Sequence, residues 1–357
     1  MYVKGKKTLP LEKIKNVLLI QLGDIGDVVN SFPCARALKE TLPKARIVFA
    51  VRSKAAGLIE GCPWVEDVIA VDTSNRSFLR NIFYQVKFWR KVRANNFDMA
   101  IDLRRDSRSA YLAFLSGAEI RVAPFSTEGK VLRNRLFTHL YDQEPTVGQY
   151  IVEHYMEPLA AYGIPTTELL PEISVSAEQE MAVSSLIKEE GIPTNIPLIV
   201  VQPFSLWSYK ELSNEKYVQI IRRLTDQGLY SVCITGTAGE RARAQQIAEK
   251  CEKNVFNLAG KTPLELVPAF YKKCRMFLGV DSAGIHIAAA VGTPVVSIYG
   301  PSNAVSWAPR GGSHRVVQKK MDCVPCGLKG CNGKEKSRCL DELTVDEVWA
   351  AIKDVLS

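Results

Sequence analysis

The sequence predicts an α/β protein built from two doubly wound domains facing across a cleft. Three observations predict it. Short apolar runs alternate with amphipathic stretches along the chain, the order that builds parallel sheets. Several runs, such as NVLLIQL and MFLGV, are apolar throughout, as strands covered on both faces must be. The pattern also occurs twice, on either side of a linker at 163–171 that contains Pro165 and Pro171. With 357 residues, 46% of them hydrophobic, the chain is long enough for two ordinary cores.

In the first half, 16–22 reads as a strand and Gly23-Asp24-Ile25-Gly26-Asp27 as a glycine loop. A helix is expected over 28–42, with Pro33 in its early part. After the turn at Pro43-Lys44 come a strand at 46–51, a helix near 54–60, a weak strand at 68–71 and a long amphipathic stretch, 78–95. A strand at 98–103 leads into Arg104-Arg105-Asp106-Ser107-Arg108 and a helix to Leu115, and 119–125 is a further strand. Residues 133–145 read as irregular, and a helix over 148–162 closes this half.

The second half places strands at 198–202, 231–235, 255–258, 276–280, 295–299 and 314–318. Helices fall near 178–190, 214–227, 240–250 and 264–273, with a last one at 345–356. Its clearest unit runs over 276–301. The strand MFLGV ends on Asp281-Ser282, small residues carry a helix from about Gly284 to Val291, and Gly292-Thr293-Pro294 stops it before the strand VVSIY. In open parallel sheets ligands sit off the carboxyl ends of strands. The first turn of a helix offers unpaired N–H groups and partial positive charge there. Ser282, Ala283 and Gly284 are small enough to let a phosphate approach. The competing reading is a plain helix cap by Asp281 or Ser282.

The stretch GVDSAGIHIAAAVGTPVVSIYGPSN resembles the nucleotide-sugar signature of the ADP-heptose:lipopolysaccharide heptosyltransferases, glycosyltransferases of Rossmann-like GT-B architecture. It keeps Asp281, Ser282, His286, Gly292, Thr293, Pro294, Gly300 and Pro301, and departs at Ala283, where that family has Gly. A second match, QLGDIGDVVNSFPCARALK, covers Gly26, Asp27, Val28, Ser31, Pro33, Ala37 and Leu38. The resemblance makes Asp27 the general base. A carboxylate at a strand end can point into a cleft and take a proton from an acceptor hydroxyl. Helix capping is the alternative job for Asp27.

A third match is Gln202-Pro203-Phe204-Ser205-Leu206-Trp207-Ser208-Tyr209-Lys210. The resemblance assigns Lys210 to the donor phosphates and brings Ser205 to the donor side, whereas Gln202 stands where a His is usual. A lysine there offsets charge building on a departing diphosphate; without the resemblance Lys210 is a surface lysine. Glu240, after Thr235-Gly236-Thr237, falls on the acid that contacts the nucleoside, or is a helix first-turn acid favoured by the dipole. Asp281, Ser282, Ala283, Gly284 and His286 complete the expected donor set. Gly26, Asp27, Arg104, Arg105, Arg108 and Arg121 form the expected acceptor set, since arginine pairs with carboxylate and phosphate in a bidentate way.

The implied domains are an acceptor-binding 1–165, a nucleotide-sugar-binding 172–340, and a helix in 341–357 that packs back on the first domain. The implied reaction moves a heptose from ADP-L-glycero-β-D-manno-heptose to an inner-core sugar on lipid A, with inversion. The alternatives are a non-catalytic nucleotide-sugar-binding protein or a family member with another donor sugar. The chain has no D-x-D, so no metal cofactor is expected in catalysis.

Cys323, Cys326, Cys331 and Cys339 have spacing that suits a structural zinc or an iron–sulfur centre. Nothing bound is the alternative, and redox chemistry a third. The other five cysteines, Cys34, Cys62, Cys233, Cys251 and Cys274, sit in apolar surroundings as core thiols. Lys and Arg number 46 against 38 Asp and Glu, a net charge of +8. That suits anionic partners: nucleotides, phosphorylated lipids or an acidic membrane surface. No basic block is interleaved with aromatics as nucleic-acid binding asks. No apolar run approaches the roughly 20 residues of a spanning helix, and the N-terminus lacks signal-peptide form. The expected place is the cytoplasm, peripheral at the inner face of the inner membrane.

Overall fold

The computed structural model describes residues 2–72, 78–127, 131–143, 146, 148–251 and 253–357. The chain divides into two compact units, Met1–Pro171 and Glu172–Ser357. Each is a Rossmann-like α/β unit around its own sheet.

The first sheet has seven strands: β1 (Tyr2–Lys4), β2 (Asn16–Gln21), β3 (Arg46–Arg52), β4 (Asp67–Val71), β5 (Met99–Asp102), β6 (Ile120–Pro124) and β7 (His139–Tyr141). Their order is β1-β7-β6-β5-β2-β3-β4, parallel except for the β1–β7 edge pair. Val17, Leu18, Leu19 and Ile20 of β2 are fully buried, which explains their unbroken apolar run. The chain leaves β2 toward β3 and β4, then returns to lay β5 on the other side. The strand order therefore reverses between β2 and β5, where an open sheet leaves a crevice off its carboxyl edge.

The second sheet repeats this logic. Its strands are β8 (Leu198–Gln202), β9 (Ser231–Ile234), β10 (Val255–Asn257), β11 (Met276–Val280), β12 (Val295–Tyr299) and β13 (Arg315–Gln318). They lie in the order β10-β9-β8-β11-β12-β13, all parallel, so the reversal falls between β8 and β11.

Two local expectations change. The single helix expected over 28–42 is two helices, Ile25–Asn30 and Phe32–Thr41, broken at Ser31. Pro33 has no N–H to continue the first helix, so it opens the second instead. The segment 133–145, read as irregular, holds β7 and the end of the helix Val131–Arg135; residues 144 and 145 lie outside the described ones. The last helix, Val345–Leu356, falls within the second unit. Val345, Val348 and Ile352 are buried in the second core, where the helix packs on Asn214–Thr225, β12 and β13.

Candidate functional site

In the first unit the reversal between β2 and β5 brings together residues 77 apart in sequence. Asp27 stands in the first turn of helix Ile25–Asn30, just past β2, with a side chain 16% exposed. Its Oδ2 accepts the Asp24 N–H at 2.8 Å and lies 3.4 Å from Nη1 of Arg104, which follows β5. Its Oδ1 accepts the Tyr155 hydroxyl at 2.7 Å, from helix Ile151–Ala161. Capping and site formation are thus one arrangement, since the oxygen that caps the helix also faces Arg104. Gly23 makes it possible. A Cβ there would lie 2.4 Å from Asp27 Oδ2 and 2.5 Å from Arg104 Nη1.

Burial, then the Asp27 carboxylate, pushes the Tyr155 phenol well above its ordinary value, so it stays protonated and donates. Burial disfavours the charge on Arg104, but Asp27, Tyr155 and Asp106 outweigh this and hold its guanidinium above the ordinary value. Lys54, bonded to Asp24, draws that carboxyl below its usual range, with Arg52 also close.

A buried pair fixes the Arg104 loop from beneath. Arg133, 3% exposed, donates to Asp102 Oδ2 at 3.0 Å and to the Arg104 carbonyl at 2.6 Å through Nη2, while Nη1 reaches the Pro124 carbonyl at 2.6 Å. Its guanidinium lies 4.7 Å from the centre of the Phe137 ring. Removing one partner of such a pair typically costs about 3–5 kcal/mol.

The other expected acceptor arginines divide. Arg105 donates to the Gln143 carbonyl at 3.2 Å, and Arg108 is exposed at the start of the next helix. Arg121 stands apart from them. It sits near the amino end of β6, paired with Ala100, three residues or about 10 Å below the carboxyl edge. Its guanidinium is held by the Leu136 carbonyl at 2.7 Å and the Ala118 carbonyl at 2.5 Å. Those bonds hold it toward the amino edge of the sheet.

In the second unit the β8 and β11 loops meet at the reversal. Lys210, closing the short turn Ser208–Lys210, places Nζ 2.6 Å from Asp281 Oδ2. Ser282 is the N-cap of helix Ala283–Ala290 by position, but its hydroxyl makes no capping bond. Among the described residues Ser282 Oγ is buried with no hydrogen-bond partner. The plain-cap reading therefore fails for both residues: Asp281 faces Lys210, and Ser282 is unengaged beside first-turn N–H groups.

Gly284 is required by what lies under it. A Cβ there would lie 1.9 Å from Gln202 Oε1 and 2.7 Å from the Phe277 ring. Gln202 Oε1 in turn accepts the Tyr271 hydroxyl at 3.2 Å. His286 is 5% exposed on the same helix. Glu240 turns back on its own turn, with Oε2 accepting the Thr237 N–H at 2.6 Å. Ser205 N–H donates to Glu211 Oε1 at 3.0 Å, and Ser205 Oγ accepts the Trp207 N–H at 3.4 Å. Sequence reasoning missed Gly23, Arg133, Tyr155 and Tyr271. Only the Gly-Asp loop carried any signal, because Tyr155 and Arg133 reach the site from elements distant in sequence.

Cys323, Cys326, Cys331 and Cys339 line one cavity of about 190 Å³. Among the described residues, however, no three His, Cys, Asp or Glu side chains are grouped to hold a metal ion. The expected zinc or iron–sulfur centre therefore has no support in the arrangement of these side chains. The thiols sit at different depths, Cys323 and Cys326 exposed and Cys339 buried, and Cys331 Sγ accepts the Arg338 N–H at 3.4 Å.

Residues 85–336 match the profile of glycosyltransferase family 9 (heptosyltransferase). The chain is 27% identical over 287 residues to lipopolysaccharide heptosyltransferase 3 of Escherichia coli K12, covering 80% of this chain and 82% of that protein. Among solved structures it is similar to a family 9 glycosyl transferase from Veillonella parvula, with a TM-score of 0.84 and 21% identity over 98% of this chain and 99% of that one. It is also similar to the E. coli ADP-heptose lipopolysaccharide heptosyltransferase II, with a TM-score of 0.79 and 22% identity over 96% and 98% of the two chains. A profile spanning more than half the chain, two Rossmann-like units and a site at each sheet reversal agree: the chain belongs to glycosyltransferase family 9, the heptosyltransferases.

Proposed function

We propose that this glycosyltransferase moves a heptose from ADP-L-glycero-β-D-manno-heptose to an inner-core lipopolysaccharide sugar with inversion. The observation that carries the mechanism is the triple hold on Asp27 by Asp24, Arg104 and Tyr155. These donors fix the direction of a carboxylate that remains partly open to solvent. Asp27 takes the proton of the acceptor hydroxyl. The acceptor oxygen bonds to the anomeric carbon as its bond to the β-phosphate oxygen breaks, and ADP leaves from the opposite face. Lys210 and the N–H groups after Ser282 meet the charge that grows on the diphosphate. Asp281 holds Lys210 in place before the donor arrives. Ser205, Glu240 and His286 are assigned to the donor side. Gly26, Arg104, Arg105 and Arg108 are assigned to an acidic acceptor.

The acceptor is carried on a lipid, and the basic excess of the chain suits an anionic membrane surface. Among the described residues no helix is long and apolar enough to cross a membrane. The reading is therefore a peripheral enzyme at the inner face of the inner membrane.

Asp27→Ala tests the assignment. Turnover, followed as ADP release with a core acceptor, is expected to fall by about 10²–10⁴ while ADP-heptose still binds. Near-normal turnover would remove Asp27 from the role. Binding of ADP-heptose by the wild-type chain with no ADP release would leave a sugar-nucleotide-binding protein.

A further inference from the structure

The cysteine-containing segment has a neighbour that its sequence does not announce: the turn that carries Lys210. Two side chains of that turn, Leu206 and Trp207, are 74% and 46% exposed. Besides its own turn bonds and the Lys210–Asp281 pair, contacts from three residues tie it to 327–337. Ser337 Oγ donates to the Tyr209 carbonyl at 2.6 Å, and Ser337 is only 3% exposed, so water does not compete for the bond. Ser208 Oγ lies 3.3 Å from Glu335 Oε2 and 3.4 Å from the Glu335 carbonyl. Lys329 Nζ stands 5.3 Å from the centre of the Trp207 ring. The supports fall on Trp207, Ser208 and Tyr209, the three residues before Lys210.

The segment is itself shaped by Cys331. The Cys331 N–H donates to the Lys336 carbonyl at 2.7 Å, its carbonyl accepts the Lys334 N–H at 3.1 Å, and its sulfur accepts the Arg338 N–H at 3.4 Å. Ser337 stands between the last two of these ties. Gly330, Asn332 and Gly333 take positive φ values of 93°, 54° and 68° to make so tight a turn.

We propose that the Cys331 turn is a positioning element for Lys210 and that Ser337 is the residue through which it acts. The inference rests on the assignment of Lys210 to the donor diphosphate. Lys210 must place its ammonium where charge develops, and a shift of about 1 Å in a catalytic group can cost about 10²-fold in rate. Ser337 is buried with its hydroxyl spent on the Tyr209 carbonyl, so it acts on kcat through Lys210 and not on affinity for the nucleoside.

The test is a double-mutant cycle in the full-length enzyme, with ADP-heptose as donor. Ser337→Ala is expected to lower kcat by about 10-fold with little change in donor KM, and Ser337→Thr, which keeps the hydroxyl, to restore most of it. Lys210→Ala is expected to lower kcat by about 10²-fold or more, and adding Ser337→Ala to it to lower kcat no further. The same loss in both backgrounds, or no loss in either, overturns the inference while leaving Lys210 in its role. If Lys210→Ala keeps the wild-type kcat, the Lys210 assignment falls and the inference with it. Should Ser337→Ala fail to fold by circular dichroism, Lys329→Ala decides, because it alters an exposed side chain over Trp207. It is expected to lower kcat in the wild-type background alone, and an equal effect beside Lys210→Ala counts against the proposal.

Discussion

A carboxylate is useful as a base only if it points in one direction, and Asp27 is held by three separate elements. Asp24 comes from its own loop, Arg104 from the β5 loop and Tyr155 from a helix more than a hundred residues away. The Tyr155 bond is the easiest to remove cleanly, because Tyr155 is 6% exposed and Tyr155→Phe keeps the packing. Losing a hydrogen bond to a charged group costs about 1.5–3 kcal/mol where the partner stays buried, and less here because Asp27 keeps some water. Tyr155→Phe is expected to lower kcat by about 10-fold, leave ADP affinity unchanged and reduce the melting temperature slightly. Steady-state kinetics with an ADP titration checks this. An unchanged kcat would mean that Asp24 and Arg104 orient the carboxylate by themselves.

At the scale of the element, the helix Ala283–Ala290 shows how a residue can be dictated from below. The cap at Ser282 carries no side-chain bond, and the small residues of the first turn leave the N–H groups open. Gly284 has no Cβ because Gln202 Oε1 occupies that space. Gly284→Ala is therefore expected to weaken ADP binding and lower the melting temperature. Adding Gln202→Ser, which shortens the side chain beneath, is expected to recover part of both. Calorimetric titration of ADP against the single and double variants measures the outcome, and a Gly284→Ala protein that binds ADP normally would show that Gln202 simply moves aside.

This helix, its strand and the Gly-Asp loop were legible in the sequence because a local run of residues encodes each of them. Gln202 was visible only as a departure at its position; its partner Tyr271 was not visible at all. Arg133 and Tyr155 were illegible for the same reason, since no period or spacing records which distant helix a strand reversal will place beside a loop. The edge on which Arg121 sits was illegible too, because a bidentate cation looks the same in sequence whichever end of a parallel strand it occupies. The cysteine spacing carried no information on depth, and these four thiols lie at different depths.

For the molecule as a whole, buried titratable groups set how stability follows pH. Burial lowers the pKa of His139, helped by Lys4 and Lys6, of His154, helped by Arg105, and of His314, helped by Arg315. His314 also has a geometric reason to stay neutral: its Nδ1 accepts the Val295 N–H at 3.2 Å, which an imidazolium cannot do. Below the ordinary histidine value of 6.5 the unfolded chain binds protons that these rings refuse, so stability falls as pH falls through that window. Asp102 works the other way. Burial pushes its carboxyl up to about 7, so the folded state takes its proton first and gains as pH falls toward the ordinary value of 3.8. Between about pH 6.5 and 5 the three rings and Asp102 oppose each other, and the lowered carboxyls of Asp24, Glu40 and Glu347 add to the loss toward the lower end. The melting temperature, followed by circular dichroism, is expected to decline across that range. Replacing His314 with Asn is expected to lower the midpoint at neutral pH and flatten the decline. A midpoint that rises on acidification would mean that Asp102 outweighs all three rings.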